Sequence, residues 1–255
     1  MEWALQEFIY IDNTSNFIYT KMSNDMYLKA INQVEGRSYV YFDIAYRGSS
    51  GNEMVVFELF EDVCPKTCEN FKRLCTGFKR ADGKIIGYAG TTFHRVVKGR
   101  FVQGGDISEI MGPQDDGPYS IFEEGPFADE SFSRKHKEPG LLGMSKDMGY
   151  AATNECQFYV TTGSPLSFMD NKNVVFGRVI NGMRTINMIN KIETFNQKPN
   201  GKITIKSCGI YDGKQHLSRT GQSRESNRQK TAVQMVQEKP LIGATALIDE
   251  KVEYF

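Results

Sequence analysis

Residues 91–106 read TTFHRVVKGRFVQGGD. Phe93, Val96 and Val97 alternate with His94 and Arg95 in the period-two pattern of a half-buried strand. Lys98-Gly99 marks a turn, RFVQ resumes strand character, and Gly104-Gly105 breaks it where backbone approach or positive φ favours glycine. The stretch predicts a hairpin whose rungs carry Arg95 and Gln103.

Upstream, SYVYFDIAY and MVVFELFED flank a glycine-containing turn and predict a second antiparallel hairpin. A helix is expected next, opened by Pro65, with Cys68, Phe71, Leu74 and Cys75 on its apolar stripe and Gly77 as its stop. Downstream, the Gly/Pro/Asp/Glu-rich run after Asp106 is long for a structureless loop, so it should be pinned by Ile121, Phe122, Phe127 and Phe132. GLLGMS, CQFYVTT, NVVFGRVI and ITIKSCGIY supply further strands, and Met183, Ile186, Ile189 and Ile192 give helical spacing to the segment between the last two. Seven or eight strands with two core helices point to an antiparallel barrel or sandwich rather than a parallel sheet.

The ends differ in character. Residues 1–37 predict an appended hairpin, FIYID against FIYTK, followed by a short helix from Ser23 to Gly36. Residues 213–255 begin as a polar tether with six basic residues against two acidic ones before residue 241, a net +4, and end in LIGATALIDEKVEYF. That apolar end reads as a docking segment on a solvated linker. The domain organisation expected is therefore 1–37, 38–212 and 213–255.

Several function classes recede on composition. The 31 basic and 31 acidic residues balance, so no overall field favours nucleic acid. No apolar run approaches the roughly 18 residues of a membrane helix, and no membrane partner is expected. Five cysteines without a Cys-x-x-Cys pair, and three histidines without ligand spacing, leave no metal site or cofactor expected. Cys64, Cys68 and Cys75 read as small buried hydrophobes. A soluble cytoplasmic protein is expected.

YFDIA (41–45), FELFEDVCPKTCENFKRLCTG (57–77), GTTFHRVVKGRFVQGGD (90–106), FADESFSRKHKEPGLLGMS (127–145), CQFYVTT (156–162) and NVVFGRVINGM (173–183) together resemble the cyclophilin family of peptidyl-prolyl cis/trans isomerases. The resemblance implies an eight-stranded antiparallel closed barrel capped by two α-helices, with a proline-binding groove on its outer face. It also implies that Arg95 is the donor aimed at the proline nitrogen and that Gln103 belongs to the polar hold. His94, Arg100, Phe101, Lys146, Asp147, Tyr159, Phe168, Met169 and Asn173 fall at substrate-binding positions. Several depart from the family pattern. Arg100 replaces a phenylalanine, Tyr159 a phenylalanine, Met169 a leucine, Asn173 a histidine and Phe168 a tryptophan, while Ser145-Lys146-Asp147 puts charge where the family is neutral. A guanidinium at position 100 must swing to water or lie in an apolar seat against a desolvation cost.

The expectation is a cyclophilin-like domain binding proline-containing segments, with weak or absent isomerase activity, as a structural or adaptor subunit. The alternative is an active isomerase assisting folding. Residues 1–36 and 213–255 would contact the assembly, with a cytoskeletal or ciliary setting by analogy to other members. Cyclosporin binding should be weak, because Phe168 has no indole N–H to donate.

Overall fold

The computed structural model describes residues 6–11, 17–22, 36–49, 51–146, 153–163 and 165–212. The expected helix after Ser23, Asp147 and the tail from residue 213 lie outside them. Near the start, β1 (Gln6–Ile11) pairs antiparallel with β2 (Phe17–Met22), from Gln6 opposite Met22 to Ile11 opposite Phe17, as the two aromatic runs predict.

One eight-stranded antiparallel sheet holds β3 (Tyr39–Ala45), β4 (Glu53–Leu59), β7 (Arg95–Val97), β8 (Phe101–Gly104), β9 (Leu141–Lys146), β10 (Asn154–Thr161), β11 (Val175–Asn181) and β14 (Thr204–Ile210). Its order is β14-β3-β4-β11-β9-β10-β8-β7. The sheet curls, but its two edges are not joined by a continuous ladder. They meet at one bridge, Thr92 to Thr204, flanked by backbone bonds from Phe93 N to Ile203 O and from Ile205 N to Thr91 O. The eight-stranded antiparallel architecture expected from the family is thus present, as a curled sheet whose edges meet at a short seam rather than along a full ladder. The seam is formed by residues 91–93, ahead of the three-residue β7, whose Val96 N donates to Gln197 O instead of to β14. Two-residue ladders β5 (Phe78–Lys79) with β6 (Ile85–Ile86), and β12 (Thr194–Phe195) with β13 (Lys198–Pro199), sit outside this sheet.

Two helices fall where the apolar spacing puts them. In α1 (Pro65–Thr76), Pro65 occupies the first turn, Cys68, Phe71, Leu74 and Cys75 are buried, and Gly77 ends the helix at φ 85°. In α3 (Met183–Lys191), Ile186 and Ile189 are buried. A one-turn helix α2 (Ser108–Met111) was not anticipated, and it follows from Asp106, whose Oδ1 accepts from Ser108 N and Oγ.

The core is unusually aromatic. Phe71 of α1 lies 5.0–6.4 Å from the rings of Phe42, Phe57, Tyr88, Phe158 and Phe176, in tilted and edge-on arrangements that suit aromatic quadrupoles. The thiols of Cys64, Cys68, Cys75 and Cys156 fill gaps among these groups. Burial pushes Cys64, Cys156 and Cys208 up to about 12, so they stay protonated at neutral pH.

The long connection before β9 is pinned as expected and by more besides. Phe127 pairs with Asn154 backbone to backbone, Phe122 packs edge-on against Phe127, and both Phe127 and Phe132 lie against the core. Polar anchors add to these: Ile121 N donates to Asn70 Oδ1, Tyr119 N to Glu155 Oε1, and Arg80 makes a buried ion pair with Asp115 at 2.7 Å.

The ion pairs carry a pH dependence. Arg80, then Lys84, holds the Asp115 carboxyl far below the usual range; Arg37 lowers Asp62 and Arg80 lowers Asp82. A depressed carboxyl stabilises the fold above its unfolded pKa, and that contribution is lost as pH falls toward the folded value. The thermal midpoint should therefore be level from pH 7 to 5 and drop below about pH 4. A midpoint that holds steady to pH 2 would contradict these pairings.

Candidate functional site: an arginine over an apolar floor

The β7–β8 hairpin has the predicted register. Arg95 faces Gln103, Val96 faces Val102 and Val97 faces Phe101, with Arg100 N closing the turn on Val97 O at 3.0 Å. Gly104 is required by proximity, since a Cβ there would stand 2.8 Å from Thr92 O.

Arg95 is exposed, yet its guanidinium is oriented. Nε donates to Gln197 Oε1 at 2.7 Å, Nη1 donates to Gln103 Oε1 at 3.2 Å, and Cζ lies 5.6 Å from the centre of the Phe101 ring. Nη2 makes no bond among the described residues. Behind Gln103, Nε2 donates to Gln157 Oε1 at 2.9 Å, and Gln157 Nε2 donates to Asp106 Oδ2 at 3.0 Å. A carboxylate only accepts, so Asp106 fixes the direction of both amides and presents a Gln103 carbonyl, not an NH2, to Arg95. These groups line a cleft of about 530 Å³ that also includes Lys146 and Glu155.

Phe101, Tyr159, Leu166 and Met169 form a small separate apolar cluster with Val97 against it. The cluster makes an apolar floor, and the Arg95 guanidinium stands over its Phe101 ring. Tyr159 keeps its hydroxyl out of that floor. It points back to His136 Nε2 at 2.6 Å, while His136 Nδ1 lies 2.8 Å from Asp170 Oδ1. With Asp170 accepting from Nδ1–H, Nε2 is the acceptor for the tyrosine O–H. The His136 backbone N–H, then its ring, holds the Asp170 carboxyl below the usual range. Tyr159 reaches this position across Gly143, where a Cβ would collide with the phenol ring. Tyr159→Phe leaves a buried His136 nitrogen unpaired and should lower unfolding stability by about 1–2 kcal/mol in urea titration. A loss below about 0.3 kcal/mol would show that the hydroxyl bond is idle.

The expected site residues separate into groups. Arg95, Gln103, Phe101, Tyr159 and Met169 come together as anticipated. Arg100 swings out of the seat and places its guanidinium 5.3 Å from the centre of the Phe168 ring, which is 50% exposed. Lys146 lines the cleft, with its ammonium held by Asp129 at 2.6 Å and near the Phe132 ring, so the charge there is paired. His94 turns toward Glu109, at 4.0 Å from it and beyond hydrogen-bond reach, and belongs neither to the cleft nor to the apolar cluster. Asn173 ties Met144 O through Nδ2 at 3.1 Å, an anchor for β9.

Gln157, Asp106, His136 and Gln197 were missed as contributors. Gln197 sits in a turn with Asn196 where both have positive φ, 66° and 47°, a conformation disfavoured for residues with a Cβ. That turn sends the Gln197 carbonyl to Val96 N and its side chain to Arg95, which no local sequence signal announces.

The arrangement suits rotation about an X–Pro amide, whose barrier is about 18–20 kcal/mol. Rotation breaks the conjugation and returns the lone pair to the proline nitrogen. A fixed guanidinium above that nitrogen, with an apolar seat for the ring, favours the twisted state without moving a proton.

A curled antiparallel sheet bearing an oriented arginine beside an apolar floor fits a domain of the prolyl isomerase type. The family model described as cyclophilin type peptidyl-prolyl cis-trans isomerase/CLD matches residues 41–210. Peptidyl-prolyl cis-trans isomerase 11 of Caenorhabditis elegans is 44% identical over 156 residues, 61% of this chain and 81% of that protein. The chain belongs to the cyclophilin-type peptidyl-prolyl isomerase family. Membership supports an isomerase-like function on proline-containing peptides.

Proposed function

We propose that this domain binds proline-containing protein segments and isomerises them slowly, serving chiefly as a binding subunit of a larger assembly. The observation that carries the reading is the position of Arg100, which lies across Phe168 and leaves the proline seat without the aromatic wall usual in the family. A seat with less apolar contact holds the twisted ring less firmly, and differential binding of that state is what drives turnover. Residues 1–36 and 213–255 would provide the contacts to the assembly. The free cysteines suit a reducing compartment, so we place the protein in the cytoplasm, in a cytoskeletal or ciliary setting. Cyclosporin should bind weakly, because Phe168 offers no N–H and one face of its ring is covered by Arg100.

The decisive measurement is NMR exchange on a proline peptide, comparing the full chain with Arg100→Phe. Restoring the wall should raise kcat/KM by about tenfold, the equivalent of 1.4 kcal/mol of added contact. An unchanged rate would refute the role assigned to Arg100. The reading of an efficient isomerase rests on one specific observation, the unbroken chain from Asp106 through Gln157 and Gln103 to Arg95. Fast turnover in the unaltered chain would favour it.

A further inference from the structure

The lip of the seat carries a cation that the rotation chemistry does not use. Arg100 is the neighbour of Phe101, and Phe168 the neighbour of Met169, so the stacked pair bridges the two segments that supply the apolar floor. The backbone beneath it is fixed. Arg100 O accepts from Thr162 N at 2.7 Å and Gly163 N at 3.1 Å, and any Cβ on Gly163 would overlap Gly99 O. A guanidinium lying on a ring keeps its edge N–H groups free to donate, and the planar fork matches a carboxylate. Among the described residues no carboxylate accepts from Arg100. Asp170, one residue beyond Met169, is already engaged by the His136 backbone and ring. Arg95 lies with its Cζ 5.6 Å from the centre of the Phe101 ring, and its Nη2 makes no bond among the described residues. Two guanidiniums therefore border the apolar cluster, Arg95 over the Phe101 ring and Arg100 over the ring next to Met169.

We propose that this site selects proline segments that carry an acidic side chain, Asp or Glu, beside the proline. The inference rests on the proline-binding reading above and names its substrate class. A carboxylate next to the seated ring meets Arg100 at the lip, whereas a lysine there meets like charge. Because the pair is solvent-exposed, the preference is moderate and salt-sensitive.

The test is fluorescence anisotropy on the full chain with two matched pairs of labelled peptides. The members of a pair differ only in Glu or Lys, placed before the proline in one pair and after it in the other. In one pair the Glu peptide should bind about 5- to 10-fold more tightly at low salt, with the ratio shrinking at about 0.5 M salt. In Arg100→Gln, verified as folded by circular dichroism, the ratio should fall to near one. Measurable binding with equal affinities in both pairs would overturn the charge preference alone, and so would a ratio that Arg100→Gln leaves intact. Failure of all four peptides to bind at millimolar concentration would overturn the proline-binding reading and the preference with it.

Discussion

Arg95→Ala should lower kcat/KM on an X–Pro peptide by about 100-fold, while the thermal midpoint stays close to that of the unaltered chain. The size follows from removing one pre-oriented donor from a site whose chemistry is electrostatic, an effect on the order of 10² to 10³. Stability is largely spared because Arg95 is exposed, its bond to Gln197 sits at the surface and its bond to Gln103 is only partly buried. Arg95→Lys should recover only part of the loss: an ammonium keeps the charge but cannot hold Gln197 and Gln103 while leaving a third donor in a fixed plane. A rate that Arg95→Ala leaves within threefold would remove Arg95 from the mechanism, whatever the family pattern implies.

Phe71→Ala should cost about 3–5 kcal/mol of unfolding free energy, the range for deleting a fully buried ring. Five aromatic rings surround Phe71, contributed by β3, β4, β10, β11 and the segment between β6 and β7. Four are held on sheet strands and Tyr88 is tied through its hydroxyl to Cys156 O, so the rings resist collapse into the void and the cavity persists. Against a typical total of about 5–15 kcal/mol, this is a large fraction, and the thermal midpoint should fall by roughly 10 °C. Phe71→Leu retains most of the volume and should cost less than half as much. A loss below about 1 kcal/mol in Phe71→Ala would mean that α1 does not close this end of the core.

Much of this architecture was legible because its signals are local. The hairpin at 91–106 is announced by period-two alternation and two glycine breaks, and the register Arg95 opposite Gln103 follows from counting across Lys98-Gly99. Helix α1 is announced by Pro65, a four-residue apolar stripe and Gly77. The one-turn α2 and the open seam were not legible, since a single turn has too few residues for a period and the seam depends on how far two remote strands extend.

Side-chain identity at the site was set by the sequence, including the substitution of Arg100 for an aromatic wall and Phe168 for an indole. Where those side chains go was decided only in three dimensions. Arg100 leaves the seat because Phe168, 68 residues later, offers its guanidinium an exposed ring, which removes the desolvation cost of lying on the floor. Lys146 brings no open charge because Asp129, from the long connection, neutralises it. The Tyr159 hydroxyl leaves the floor because His136 accepts its proton bond from behind, across a strand where only Gly143 leaves room. The sequence by itself determined the family, the strand pattern and the polar pair on the hairpin, all of which depend on residue type and on spacing along the chain. The tertiary structure decided which charges are free, because pairing depends on partners that the chain brings together from far apart.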